Sequence, residues 1–216
     1  EIFPIKMIYI TYINTHFGIN KNFIFFKIAN NMEIFVGIDP GIVNFGITIL
    51  ERKENNFELI TSQNITLGKM KTPLQKIIIQ MIDTLNTIFD NPFYKDKKLD
   101  INIEKQKTAK FKALAHSVYT YFLMKNRDSK VSLTNSNDKW KIFKEEKVKE
   151  IKKEKSYYKR KKIIVENTMN LFKESSSKEL NNLHSNLLKI KKKDEYIDSF
   201  LLAYRSIQKV SFKDSK

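Results

Sequence analysis

The chain has 216 residues, 41% of them hydrophobic and 30% charged, with a formal net charge of +16. That length and apolar content fit one domain of ordinary size with a real core, alone or with an appendage, and exclude wholesale disorder. The absence of cysteine excludes a disulfide framework, a Cys-ligated zinc or iron–sulfur site and thiol catalysis, and makes a reducing intracellular compartment the default.

Residues 1–31 are rich in Ile, Phe and Asn without a clean period, and Lys6, Lys21 and Lys27 interrupt the apolar runs. No stretch reaches the roughly 20 apolar residues of a membrane span, and no basic, apolar and small-residue order marks a signal. This segment is expected to be an N-terminal extension, loosely packed or an upstream translation artefact, ahead of a domain over 32–210. Residues 33–38 (EIFVGI) read as a buried strand that ends at Asp39-Pro40-Gly41, where Pro40 lacks an N–H and Gly41 tolerates a tight turn. Residues 45–51 and 56–65 read as two further strands, and the short links make the three an antiparallel meander. Residues 72–90 combine a Thr start, an early Pro and helical apolar spacing, and predict a helix. A fourth strand follows at 99–103, ending at Glu104, then a helix over 107–124, a short strand at 130–134, a helix over 161–173 and a final helix over 194–209. On the 107–124 helix, Phe111, Leu114, Val118 and Phe122 are most simply core. The resulting order, β-β-β-α-β-α-β-α-α, predicts an α/β fold with a mixed five-stranded sheet and helices on both faces.

Charge is unevenly placed. Residues 1–104 carry 11 basic and 11 acidic side chains, whereas residues 105–216 carry 29 against 13. The asymmetry points to a polyanionic partner, nucleic acid first and an anionic membrane surface second. AT-rich coding also inflates Lys, and only 4 of the 40 basic residues are Arg. Within residues 139–162, 12 basic and 4 acidic residues are interleaved with Trp140, Phe143, Tyr157 and Tyr158. Such a stretch suits phosphate contacts with base stacking, and equally a solvated Lys-rich helix.

Two carboxylates end separate strands, Asp39 and Glu104. Strand ends of β-α-β units gather on one edge of a sheet, so the two can converge across 65 positions. Asp194, Glu195 and Asp198 open the last helix, and both the i, i+3 and the i, i+4 pairs face one side. Taken singly, each acid also fits a turn or a helix-dipole role. Several together repel one another unless cations neutralise them, and hard divalent ions with oxygen ligands suit such a site. Two ions about 4 Å apart can activate water and stabilise the leaving oxygen of a phosphodiester. His116 and His184 read as structural, and His16 falls in the extension.

The blocks VGIDPGIVNFGITILE (36–51), INIEKQ (101–106) and KKKDEYIDSFLLAYR (191–205), with the basic SYYKRKKIIVE (156–166), together resemble the RuvC-like Holliday junction resolvases, closest to the poxvirus branch. The resemblance implies a ribonuclease H-like fold and a structure-selective endonuclease that nicks four-way DNA junctions in pairs near the crossover, leaving 5′-phosphate ends. It implies a Mg²⁺ site, with Mn²⁺ able to substitute and two ions per site. By motif, Asp39, Glu104 and Asp198 would be ligands, with Glu195 fourth where many members have Asp, or Asp194 in its place. Lys161 or Lys162 would assist at the scissile phosphate, with Lys162 assigned to the catalytic set. Lys155, Tyr158, Lys159, Arg160, Lys161 and Lys162 would face DNA. A homodimer without membrane attachment is implied, in host cytoplasm or virion if viral, with the mitochondrion as the alternative. Three other readings compete. They are another ribonuclease H-like nuclease acting on RNA or hybrids, a non-catalytic branched-DNA-binding module, and the sugar kinase and actin-like class. That last class needs a second Gly-rich phosphate loop, which five glycines leave no room to build.

Overall fold

A computed structural model describes residues 33–53, 57–95, 97–125, 128–190 and 192–214, with side chains to residue 209. The expectation for residues 1–31 lies outside the described residues. Five strands form one sheet, β1 (Glu33–Asp39), β2 (Phe45–Arg52), β3 (Phe57–Ile65), β4 (Lys98–Glu104) and β5 (Lys130–Thr134), in the order β3-β2-β1-β4-β5. The first three make the expected antiparallel meander, and β4 and β5 add on in parallel. Between and after them come α1 (Leu74–Phe89), α2 (Ala109–Lys125), α3 (Glu145–Lys153), α4 (Tyr157–Glu174), α5 (Lys178–Leu188) and α6 (Asp194–Asp214), with 3-10 turns at Pro92–Tyr94 and Ser136–Ile142.

Alternation along the strands sorts the side chains into two layers, because successive strand residues point to opposite faces. Ile34, Val36 and Ile38 of β1, Phe45, Ile47 and Ile49 of β2, and Leu99, Ile101 and Ile103 of β4 pack against α1 and α2. The opposite face is covered by α6, α4 and their neighbours around Phe35, Leu50, Phe172 and Phe200. Helices therefore lie on both faces, as expected. Leu114, Val118 and Phe122 of α2 are buried in the first layer, with Phe111 packed against them.

The sequence reading differs from the structure in the Lys-rich stretch. α4 begins at Tyr157, four residues before the expected start, capped by the Ser156 hydroxyl, which accepts from the Lys159 N–H at 3.5 Å. α3 and α5 have no counterpart among the elements that the apolar pattern predicts. Each carries few apolar residues and is fixed by one or two buried anchors, Ile151 in α3 and Leu180 and Leu187 in α5. One narrow stripe suffices for a helix when tertiary packing supplies its stability.

α6 lies across β1 and β2. Its approach is closest at two glycines. A Cβ on Gly37 would fall 1.9 Å from the Ser199 carbonyl oxygen and 2.5 Å from the Ala203 nitrogen, and one on Gly46 would fall 2.8 Å from the Glu195 carbonyl oxygen. The seam is completed by hydroxyls, since Thr48 Oγ1 lies 2.9 Å from Ser199 Oγ and 3.0 Å from Ser62 Oγ. Asn102 of β4 donates to Ser206 of α6 and accepts from Ser132 at 2.7 Å and Thr134 at 2.9 Å. These bonds satisfy the polar groups that the helix buries against the sheet.

Candidate metal centre

The alternation that builds the core also builds the site. Asp39 follows Ile38, which pairs in register with Ile103, so Asp39 and Glu104 end adjacent parallel strands. Both are out of phase with the apolar face and point toward α6, as do Gly37 and Asn102. α6, held close by Gly37 and Gly46, presents Asp198 one turn from its start. Oxygen atoms of Asp39, Glu104 and Asp198 all lie within 4.8 Å of one another. Glu104 and Asp198 are only 8% and 9% exposed.

Crowding shifts the acid–base balance. Burial, and then the negative charge of Glu104, push the Asp39 carboxyl well above the usual carboxylate range; Lys139 pulls the other way, and Asp198 adds a lesser push. Gln106, two residues beyond β4, donates its amide to Asp39 Oδ1 at 3.0 Å.

Lys139, within the 3-10 turn that follows β5, projects its ammonium into the cluster. Its Nζ lies 3.1 Å from Glu104 Oε2 and 2.7 Å from Asp198 Oδ1, and its side chain is only 7% exposed. Burial alone would lower its pKa. The charges of Asp198, Glu104 and Asp39 outweigh that and hold it above the ordinary lysine value. The sequence reading missed this residue, because one lysine among 12 basic residues in 139–162 carries no local mark.

The remaining expected residues divide by position. Lys161 pairs with Asp194 and lies 3.9 Å from Asp198 Oδ2, which brings it to the edge of the acidic group. Lys161 also lies 5.8 Å over the Tyr157 ring; burial lowers its pKa, but the Asp194 hydrogen bond together with the charges of Asp198 and Asp194 holds it above the ordinary lysine value. Lys162 points elsewhere, with a 77% exposed side chain whose nearest acid is Glu166 at 3.8 Å. The structure thus brings Lys161, and not Lys162, toward the carboxylates. Glu195 Oε2 accepts from Asn64 Nδ2 at 2.5 Å and lies outside the close acidic group, as does Asp194. Lys155, Tyr158 and Lys159 are exposed and Arg160 is half-buried. Of the four interleaved aromatics, Tyr157 and Tyr158 are exposed at 59% and 83%. Trp140 and Phe143 instead pack into the core beneath α6, so they serve packing and not stacking on a base. His116 and His184 sit on α2 and α5, outside the cluster.

All ligand atoms on offer are carboxylate oxygens, a donor set that fits a hard divalent cation such as Mg²⁺ or Mn²⁺ and does not fit a thiolate- or imidazole-seeking metal.

No family model matches the sequence, and no curated protein matches it. Solved structures do. The chain is similar to the Fowlpox virus resolvase in complex with substrate Holliday junction DNA, at 20% identity and a TM-score of 0.54, covering 83% of this chain and 98% of that one. It is similar to a second crystal structure of the Fowlpox virus Holliday junction resolvase at 18% identity and a TM-score of 0.52, covering 83% and 99%. Thermus thermophilus RuvC in complex with a Holliday junction substrate is more distant, at 11% identity and a TM-score of 0.47, covering 79% and 90%. The α/β, ribonuclease H-like architecture implied by the sequence motifs is therefore the fold this chain adopts.

Proposed function

We propose that the chain is a divalent-metal-dependent endonuclease that resolves four-way DNA junctions and other branched DNA by paired nicking. The observation that carries the reading is the meeting of three carboxylates from β1, β4 and α6 within 4.8 Å at the end of the sheet. The Fowlpox virus resolvase, whose fold this chain shares, was solved with Holliday junction DNA, which supports the choice of substrate.

Asp39, Glu104 and Asp198 would hold the ion. A bound Mg²⁺ or Mn²⁺ would supply an acidified water and offset charge at the scissile phosphate. Gln106 orients Asp39 through its 3.0 Å hydrogen bond. Lys161, at the edge of the carboxylates, would meet a phosphate oxygen and steady the charge that develops there. Tyr157 and Tyr158, adjacent and exposed at the start of α4, offer ring faces to an unpaired base at the crossover. The exposed lysines of α3 and the first turn of α4 would grip phosphates without reading sequence. Two copies of the chain would match the two equivalent strands of a junction.

The test is cleavage of a synthetic four-way junction, with and without Mg²⁺, beside linear duplex and an RNA–DNA hybrid. Metal-dependent symmetric nicks in the junction alone are expected. Equal cutting of junction and duplex would leave a nuclease and remove the junction assignment, while preferred cutting of the hybrid would favour another ribonuclease H-like activity.

A further inference from the structure

A site built for two Mg²⁺ ions needs carboxylates that bridge both ions through their two oxygens, and enough acids to complete two shells. In this chain those oxygens have other partners. Lys139 Nζ engages Glu104 Oε2 at 3.1 Å and Asp198 Oδ1 at 2.7 Å. Each of these residues therefore has one oxygen committed to an ammonium that is nearly sealed from solvent. The acids that would complete a second shell from α6 are committed too. Asp194 is paired with Lys161, and Glu195 accepts from Asn64 at 2.5 Å. Charge points the same way. Once the incoming ion has displaced the Asp39 proton, three carboxylates and one buried ammonium leave two negative charges, which a single divalent ion cancels, whereas a second would leave an uncompensated double positive charge in a buried site.

We propose that Lys139 is a resident cation that occupies the place of a second metal ion, so that the centre takes one divalent ion per chain. Lys139 is a positioning residue, holding Glu104 and Asp198 in the arrangement that receives that ion. The proposal rests on the metal-centre reading above. It also revises the two-ion expectation drawn from the resemblance to RuvC-like resolvases.

The full-length, metal-free chain is titrated with Mn²⁺ by calorimetry, and the bound ion is observed by electron paramagnetic resonance. The wild type is expected to bind one equivalent and to give the spectrum of an isolated Mn²⁺. Lys139→Met, which keeps the aliphatic length and removes the charge, is expected to bind a second equivalent and to show the broadened signal of two coupled ions. Two equivalents of similar affinity in the wild type, or a coupled spectrum there, would overturn the proposal while leaving the metal centre intact. A variant that folds by circular dichroism and still binds one ion would show that Lys139 does not set the count. If Lys139→Met does not fold, Lys139→Gln and the wild-type count decide. No binding by the wild type at millimolar Mn²⁺ would remove the metal-centre reading itself.

Discussion

At the scale of single residues, Asp39 is where chemistry and stability oppose each other. Its raised pKa means that the folded chain holds a proton there which the unfolded chain has already lost. The stability this contributes is present below the ordinary aspartate value and is lost as pH rises through the higher folded value. Metal-free protein melted from pH 4 to 8 is therefore expected to lose stability with rising pH at this site. Asp39→Asn is expected to flatten that dependence and to stabilise the metal-free fold near neutrality by about 1–2 kcal/mol, the scale of removing one of several crowded like charges. The same substitution should leave junction affinity in a gel-shift assay within about twofold and reduce cleavage by a factor on the order of 10³ or more. A second pair of substitutions separates neighbouring lysines. Lys161→Ala should lower the single-turnover cleavage rate by roughly 10²-fold, the range for one charge-stabilising group, whereas Lys162→Ala should change it by less than about threefold. Asp39 and Glu104 were legible in the sequence because each ends an apolar strand, and strand ends of this order share an edge. The choice between Lys161 and Lys162 was not. It depends on which side of α4 faces α6, and α4 starts four residues earlier than its apolar spacing suggests.

At the scale of elements, the site depends on how near α6 can come to the sheet. Gly37 faces helix backbone, the Ser199 carbonyl oxygen and the Ala203 nitrogen, and not the flexible end of a side chain, so nothing there can swing aside. Gly37→Ala is expected to cost about 3 kcal/mol, the upper part of the usual overpacking range, and to lower the melting temperature by roughly 6–12 °C. Because the displaced helix carries Asp198, Mn²⁺ affinity should fall along with stability. A conservative change on the other layer, such as Ile101→Val, should cost about 1 kcal/mol and leave metal affinity unchanged. The strands and α1, α2 and α6 could be read from apolar period and turn residues. α3 and α5 could not, since their lysine- and asparagine-rich sequences resemble solvated loop, and few apolar side chains, Ile151, Leu180, Leu187 and the partly buried Leu183, fix them to the core. Lys139 was hidden for a related reason, because its identity as a buried ion is set by the 3-10 turn that follows β5 and by nothing in its immediate neighbours.

At the scale of the whole molecule, the excess positive charge lies in residues 105–216; α3 and α4 carry nine basic against five acidic side chains, and α4 brings Lys161 to the edge of the acidic centre. Counterion release should make junction binding fall steeply with salt, by a log–log slope proportional to the phosphates contacted. Replacing Lys155, Lys159 and Lys162 together by Gln should reduce the magnitude of that slope by roughly 2–3 and weaken junction and linear duplex alike. Removing metal with EDTA is expected to leave the far-ultraviolet circular dichroism unchanged, because Lys139 already offsets part of the carboxylate charge. The melting shift on adding Mg²⁺ should not exceed the mass-action stabilisation of one bound ion, about 1.4 kcal/mol at ten times its dissociation constant. A chain whose acidic pocket carries its own ammonium does not have to wait for an ion in order to mature. As the nuclease proposed above, it would persist as a finished but inert body and become active through ion supply instead of through refolding.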